Sequence, residues 1–112
     1  MPVSLIVSDR FSLIIGLGKT GLACAQYFAL QGERFQVADS RAQPPFLHQL
    51  TSEQPDTPIH LGEFAHDLCL SARQIILSPG VSMQEPALVA AANAGVPIRS
   101  DVDVFAQAAR SA

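Results

Sequence analysis

Phe11-Ser12-Leu13-Ile14-Ile15-Gly16-Leu17-Gly18-Lys19-Thr20-Gly21 is the stretch from which the fold is read. A mostly apolar run of strand length, Phe11 to Ile15, enters a complete G-x-G-x-x-G. A segment of helical period, Thr20 to Gln31, follows with Gly21, Ala25 and Phe28 on one face and Gly32 placed as its C-terminal cap. A strand feeding a helix through such a turn opens a βαβ unit. In that setting Gly16 permits the tight turn, Gly18 lets a ligand approach the backbone, and Gly21 lets helix and sheet pack closely. The first-turn amides of the helix lack intrahelical partners and sit at its positive end, which suits a phosphate. The competing reading is a glycine-rich turn kept only for packing.

The same alternation continues downstream. Phe35 to Ala38, ending in Asp39, predicts a second strand. Arg41 to Pro45 is a loop, Phe46 to Leu50 a short helix, and the polar Thr51 to Pro58 a surface connection. Ile59-His60-Leu61 is a third strand, Ala65 to Ser71 a short helix, and Gln74 to Ser78 a fourth strand. Pro86 opens a helix over Ala87 to Ala94 that Gly95 closes. Val96-Pro97-Ile98 is a last strand, and Asp101 is placed to cap a helix from Val102 to about Ala109. Strands apolar on both faces, separated by helices, imply a parallel sheet covered on both sides. With right-handed crossovers this is a doubly wound, Rossmann-like sheet of order 3-2-1-4-5.

Composition bounds what such a domain can do. The chain has 112 residues, 48% hydrophobic and 15% charged, which supports one domain with a real core and argues against disorder. Seven basic against ten acidic side chains give a net charge of −3, and the basic residues are scattered without a run. That balance argues against nucleic acid as the partner. Cys24 and Cys69 lie 45 residues apart and neither has a CxxC partner or an adjacent histidine, so reduced, buried thiols are expected. Leu5-Ile6-Val7 is broken at once by Ser8-Asp9-Arg10, and no stretch approaches the roughly 18 apolar residues of a membrane span. A cytoplasmic domain is expected. At this length there is no room for the second domain that a nucleotide-dependent enzyme closes over its substrate, so residues 1–112 read as one domain of a longer protein.

Two further motifs join the glycine turn. Asp39 ends the second strand 18 residues past Gly21, and Ser40 and Arg41 follow it. In a dinucleotide-binding fold such an acid takes ribose hydroxyls. The Asp-Ser-Arg set can equally bond a base edge, with Arg41 near phosphate, or form a turn in which Asp39 satisfies backbone amides. Ser78-Pro79-Gly80 leaves the fourth strand, which neighbours the first in a 3-2-1-4-5 sheet. All three motifs are therefore expected at one crevice. Lys19 is read either as a group near an anionic ligand or as a solvated lysine at the helix start. Gly18-Lys19-Thr20 imitates the end of a Walker A loop, but Leu13 stands where that motif needs its first glycine. His48, His60 and His66 have no partner at metal or catalytic spacing, Glu63 before His66 included, and no nucleophile–base pair stands out. A binding site without catalytic residues is expected, with no metal.

These motifs in this order resemble the N-terminal domain of the Mur ligases. The matching pieces are Ile14 to Gly21, Asp39-Ser40-Arg41 with Pro44-Pro45, Leu77-Ser78-Pro79-Gly80-Val81, Pro86 to Val96, and Ser100 to Phe105. The resemblance implies a monomeric, cytoplasmic, ATP-dependent amide-forming ligase of peptidoglycan precursor synthesis. It would add D-glutamate to UDP-N-acetylmuramoyl-L-alanine through an acyl phosphate. ATP, Mg²⁺ and the catalytic groups are then expected in a central domain outside this chain, and the first domain holds the UDP part of the substrate. Carried onto these positions, Gly18, Lys19 and Thr20 would cradle the diphosphate. Asp39, Ser40 and Arg41 would hold the uracil and its surroundings, and Ser78, Pro79 and Gly80 would line the opposite wall. The isolated domain is expected to bind weakly or not detectably and to ligate nothing. Two other readings stay open at this point: an NAD(P)-binding domain of a dehydrogenase or of a potassium-channel regulatory protein, and an interaction module without a ligand.

Overall fold

A computed structural model describes residues 10–62 and 66–111, the side chains at 108, 110 and 111 excepted. The readings that involve Leu5-Ile6-Val7, Glu63 and Ala65 lie outside the described residues. Five parallel strands form one sheet: β1 (Ser12–Ile15), β2 (Phe35–Asp39), β3 (Ile59–Leu61), β4 (Gln74–Leu77) and β5 (Ile98–Ser100). Their spatial order is β3-β2-β1-β4-β5, as the alternation predicts. β1 is the central strand, with Ile14 paired to Val37 on one side and Ile76 on the other.

Because side chains alternate across a strand, these short apolar strands feed two cores. Leu13, Ile15, Ile75 and Leu77 face one layer with Leu88 and Ala91 of α4 (Pro86–Asn93) and Cys69 of α3 (His66–Ser71). Ile14, Val37 and Ile76 face the other, with Ala25 and Phe28 of α1 (Lys19–Gln31), Leu50 of α2 (Leu47–Glu53) and Val104 of α5 (Asp101–Ser111). Cys24 and Cys69 are both buried and free, one in each layer. Burial, with the nearby Asp101 charge, pushes the Cys24 thiol up to about 11, and burial with Glu85 also raises Cys69. Neither is a thiolate at neutral pH.

Several element boundaries differ from the sequence reading, three of them for a visible physical reason. The last strand is Ile98–Ser100, two residues beyond the expected Val96-Pro97-Ile98. Val96 is consumed by the end of α4, where Gly95 at φ +93° lets the Val96 and Gly95 amides donate to the Ala91 and Ala92 carbonyls. Pro97 has no N–H and only accepts, from Ile75 (2.9 Å). Helix α2 runs on to Glu53, through part of the expected connection. Buried Leu50 anchors it, and the Gln26 amide group reaches Glu53 Oε1 (2.9 Å) from α1. Ser100, not Asp101, caps α5: its Oγ accepts from the Asp103 amide (3.1 Å) while Asp103 Oδ2 accepts from the Ser100 amide (3.0 Å). This reciprocal pair satisfies two donors together, which a lone Asp101 could not do.

Candidate functional site

β1 connects through α1 to β2 on one side, while β4 connects through α4 to β5 on the other. Between chains leaving in opposite directions a crevice opens at the carboxyl ends of the strands, the usual place for a ligand in such sheets. A cavity of about 430 Å³ lies there. Its walls are the glycine turn (Gly16, Gly18, Thr20), Asp39-Ser40-Arg41, and Ser78-Pro79-Gly80 with Val81. The three motifs lie at one site, as expected. Lys19 is exposed and does not line the cavity, and Gly21 lies behind it in α1.

The three glycines have separable roles. Gly16 has φ +98°, and a Cβ on it would stand 2.8 Å from Ser78 Cβ. Its amide donates to the Ala38 carbonyl (2.8 Å), and its carbonyl accepts from Ser78 Oγ (3.0 Å). Ser78, expected as the last residue of β4, lies just past its end and uses its hydroxyl to fasten the opposite wall to the turn. A Cβ on Gly21 would stand 2.0 Å from the Gly16 carbonyl oxygen, so helix and turn touch backbone to backbone. A Cβ on Gly18 would meet nothing within 4 Å. Packing therefore demands glycine at 16 and 21 but not at 18, where Gly18 lines the cavity. Gly18 is the N-cap of α1 and no side chain caps it, while the first helical bond runs from the Leu22 amide to the Gly18 carbonyl (3.0 Å). The first-turn amides of Lys19, Thr20 and Gly21 thus have no intrahelical acceptor, at the positive end of a 13-residue helix whose start, Gly18 and Thr20, lines the cavity.

Asp39 sits at the end of β2 with 2% of its surface exposed. Its Oδ2 accepts from the Leu17 amide (2.7 Å) and Arg41 Nη2 (2.7 Å), and its Oδ1 from the Arg41 amide (2.8 Å) and Arg41 Nε (2.9 Å). Sequence reading missed the Leu17 amide, since its role is set by the fold of the turn and not by its side chain. Val81 was missed as well; it packs behind the Ser78 turn, near enough that a Cβ on Gly16 would stand 3.2 Å from its Cγ2.

Burial alone would raise the Asp39 carboxyl, but the Arg41 side chain and the Leu17 and Arg41 amides outweigh it and hold it at about 2, below the ordinary 3.8. A depressed folded-state value means stability present above the unfolded value and lost as pH falls through the folded one. The expected loss is about 2 kcal/mol between roughly pH 4 and pH 2. Urea unfolding across that range should show the stability gap between the wild type and Asp39→Asn narrowing by this amount. A gap independent of pH would contradict the assignment.

At the other end of the sheet lies a larger cavity of about 730 Å³, lined by Arg10, Arg34, Arg73 and Arg99 among others. Cations scattered in the sequence are gathered here because three of them stand just before strands. They are engaged in holding strand starts together: Arg73 pairs with Glu33 (2.8 Å), Arg99 Nη1 donates to Gln74 Oε1 (3.1 Å), and Arg10 reaches the Ala72 carbonyl (3.4 Å). None of the three motifs reaches this cavity, so the smaller one is the candidate site. His48, His60 and His66 are exposed, with His60 Nε2 on Gln36 Oε1 (2.9 Å). Among the described residues, no three His, Cys, Asp or Glu side chains gather to hold a metal, and no helix is long and apolar enough to cross a membrane.

Comparison with known proteins gives the family of the chain. A UDP-N-acetylmuramoylalanine--D-glutamate ligase of Marinobacter nauticus is 50% identical over 96% of this chain, and one of Pseudomonas aeruginosa is 42% identical over 97%. The chain spans 24% of the length of each, about a quarter. Among solved structures, a ligand-bound minor L-lactate dehydrogenase from Enterococcus mundtii aligns with 83% of this chain and 38% of its own at TM-score 0.48 and 16% identity. Residues 10–100 match the family described as Mur ligase MurD-like, N-terminal domain, a span that takes in the glycine turn, Asp39-Ser40-Arg41 and the Ser78 turn together. The chain belongs to the MurD-like N-terminal domain family of the Mur ligases.

Proposed function

We propose that this domain holds the UDP part of UDP-N-acetylmuramoyl-L-alanine for a cytoplasmic, ATP-dependent ligase that adds D-glutamate in peptidoglycan precursor synthesis. The observation that carries this reading is the meeting of three motifs at one switch-point cavity, beside the uncapped N-terminus of α1, where Gly18 has no packing role. The diphosphate would lie on the amides of Gly18, Lys19 and Thr20 and the Thr20 hydroxyl. The uracil would lie against Ser40 and Arg41, with Ser78, Pro79 and Gly80 as the facing wall. No cofactor and no catalytic residue is assigned to this domain. ATP and Mg²⁺ would be held by a central domain of the parent protein, a monomer, which would activate the substrate carboxylate as an acyl phosphate before D-glutamate attacks.

The dinucleotide reading is weaker on one specific ground. It needs the acid at the end of β2 to accept ribose hydroxyls. A carboxylate offers about four acceptor positions, and Asp39 has four hydrogen bonds already. Thermal melts of the chain with millimolar UDP, UDP-N-acetylmuramoyl-L-alanine and NADH test the choice. Tm should rise with the first two and not with NADH. A rise with NADH alone would favour the dinucleotide domain, and no rise with any would favour an interaction module.

A further inference from the structure

We propose that Asp39 is a positioning residue, a brace that sets the glycine turn and the Arg41 guanidinium at a fixed separation across the cavity while its carboxylate leaves the ligand to the donors on either side. This rests on the nucleotide-diphosphate reading given above. Leu17 and Arg41 belong to different walls, and no hydrogen bond joins them directly among the described residues; both are bonded to the same carboxylate. That carboxylate is almost wholly buried, whereas the Arg41 side chain is 52% exposed. Arg41 presents Nε and Nη2 to Asp39, which turns the Nη1 edge outward. The Leu17 amide is also the only backbone donor between Gly16 and Gly18, so pinning it sets where the Gly18 backbone meets a phosphate.

The chemistry follows from hydrogen-bond capacity. With every acceptor position of Asp39 occupied, the cavity offers donors: first-turn amides on one side, Ser40 and Arg41 on the other. It therefore suits a ligand rich in acceptors at both ends, a nucleoside diphosphate with carbonyl groups on its base. A ligand whose recognition depends on hydroxyls donating to an acid is disfavoured. Arg41 could not be exchanged for lysine without loss, because a single ammonium cannot make the paired Nε and Nη2 bonds.

The test is NMR of the chain, first without ligand and then with UDP. Asp39→Asn keeps the side-chain size but removes the charge and turns one of the two acceptor oxygens into a donor, so one carboxylate no longer holds Leu17 and Arg41 together. It should displace both the Leu17 amide and the Arg41 Nε–H resonances and weaken UDP binding roughly tenfold or more. Arg41→Gln, which leaves Leu17 untouched, should nonetheless shift the Leu17 amide, because both act through one carboxylate. It also serves if Asp39→Asn does not fold. A Leu17 amide unmoved in either variant, or UDP binding by Asp39→Asn equal to wild type, would overturn the brace. If the wild type fails to respond to UDP while the Leu17 and Arg41 signals behave as expected, the brace stands and the ligand assignment falls.

Discussion

Gly21→Ala is expected to be the most damaging single-methyl change in the chain. The added Cβ would lie 2.0 Å from the Gly16 carbonyl oxygen and 3.1 Å from its carbon, both backbone atoms that no rotamer change can move aside. Relief requires α1 to lift from β1 or the turn to shift. A shift of the turn would disturb the Ser78 Oγ bond to the same carbonyl and the neighbouring Leu17 bond to Asp39. Overpacking of this kind costs about 3 kcal/mol or more. For a domain of this size that lowers Tm by roughly 10–20 °C. Alanine is otherwise the better helix former, by about 1 kcal/mol, so propensity alone predicts the opposite sign. A melt of Gly21→Ala equal to or above the wild type would show that the close approach is not real.

Gly18→Val carries the second large effect, in binding and not in stability. The position has φ −93° and ψ −161°, extended backbone that valine adopts readily, and its Cβ would enter open space. Valine is a poorer N-cap than glycine, while the stiffer backbone removes some unfolded-state entropy; each is of the order of 1 kcal/mol or less. Tm should therefore change by only a few degrees. The isopropyl group, however, would be added at a position that lines the cavity, beside the start of α1 where the proposed phosphate would lie. UDP affinity is expected to fall about 100-fold or more, as exclusion from a preorganised donor site implies. Retained UDP binding would remove the diphosphate from that helix start, whereas a collapse of Tm would mean that Gly18 packs against something after all. The contrast between the two variants separates a glycine needed for the fold from one needed for the ligand.

The sheet order and the convergence of the motifs were legible because they rest on strong local signals. Leu13-Ile14-Ile15 and Ile75-Ile76-Leu77 are apolar on both faces, and glycine and proline punctuate the elements between them. The cap of α5, expected at Asp101, and Val96 were misplaced because their competing roles are decided by hydrogen bonds. Val96 could start a strand or finish a helix, and only the positive φ of Gly95 selects the second. The role of Asp39 was open for a similar reason. A sequence shows that an acid ends β2, but not that the Leu17 amide and the Arg41 side chain will fill its oxygens. The gathering of Arg10, Arg34, Arg73 and Arg99 is purely tertiary, since strands β1, β2, β4 and β5 start side by side.

The central claim is that a nucleoside diphosphate lies in the cavity at the carboxyl ends of β1, β2 and β4. Residue-resolved ¹⁵N NMR of the chain during addition of UDP to millimolar concentration tests it most directly. The amides of Gly18, Thr20, Ser40, Arg41 and Gly80 should shift together with a single affinity, while those of Arg73 and Arg99 at the opposite end stay in place. Resonances at the three motifs that remain still, or shifts confined to the arginine-lined cavity, would contradict the account.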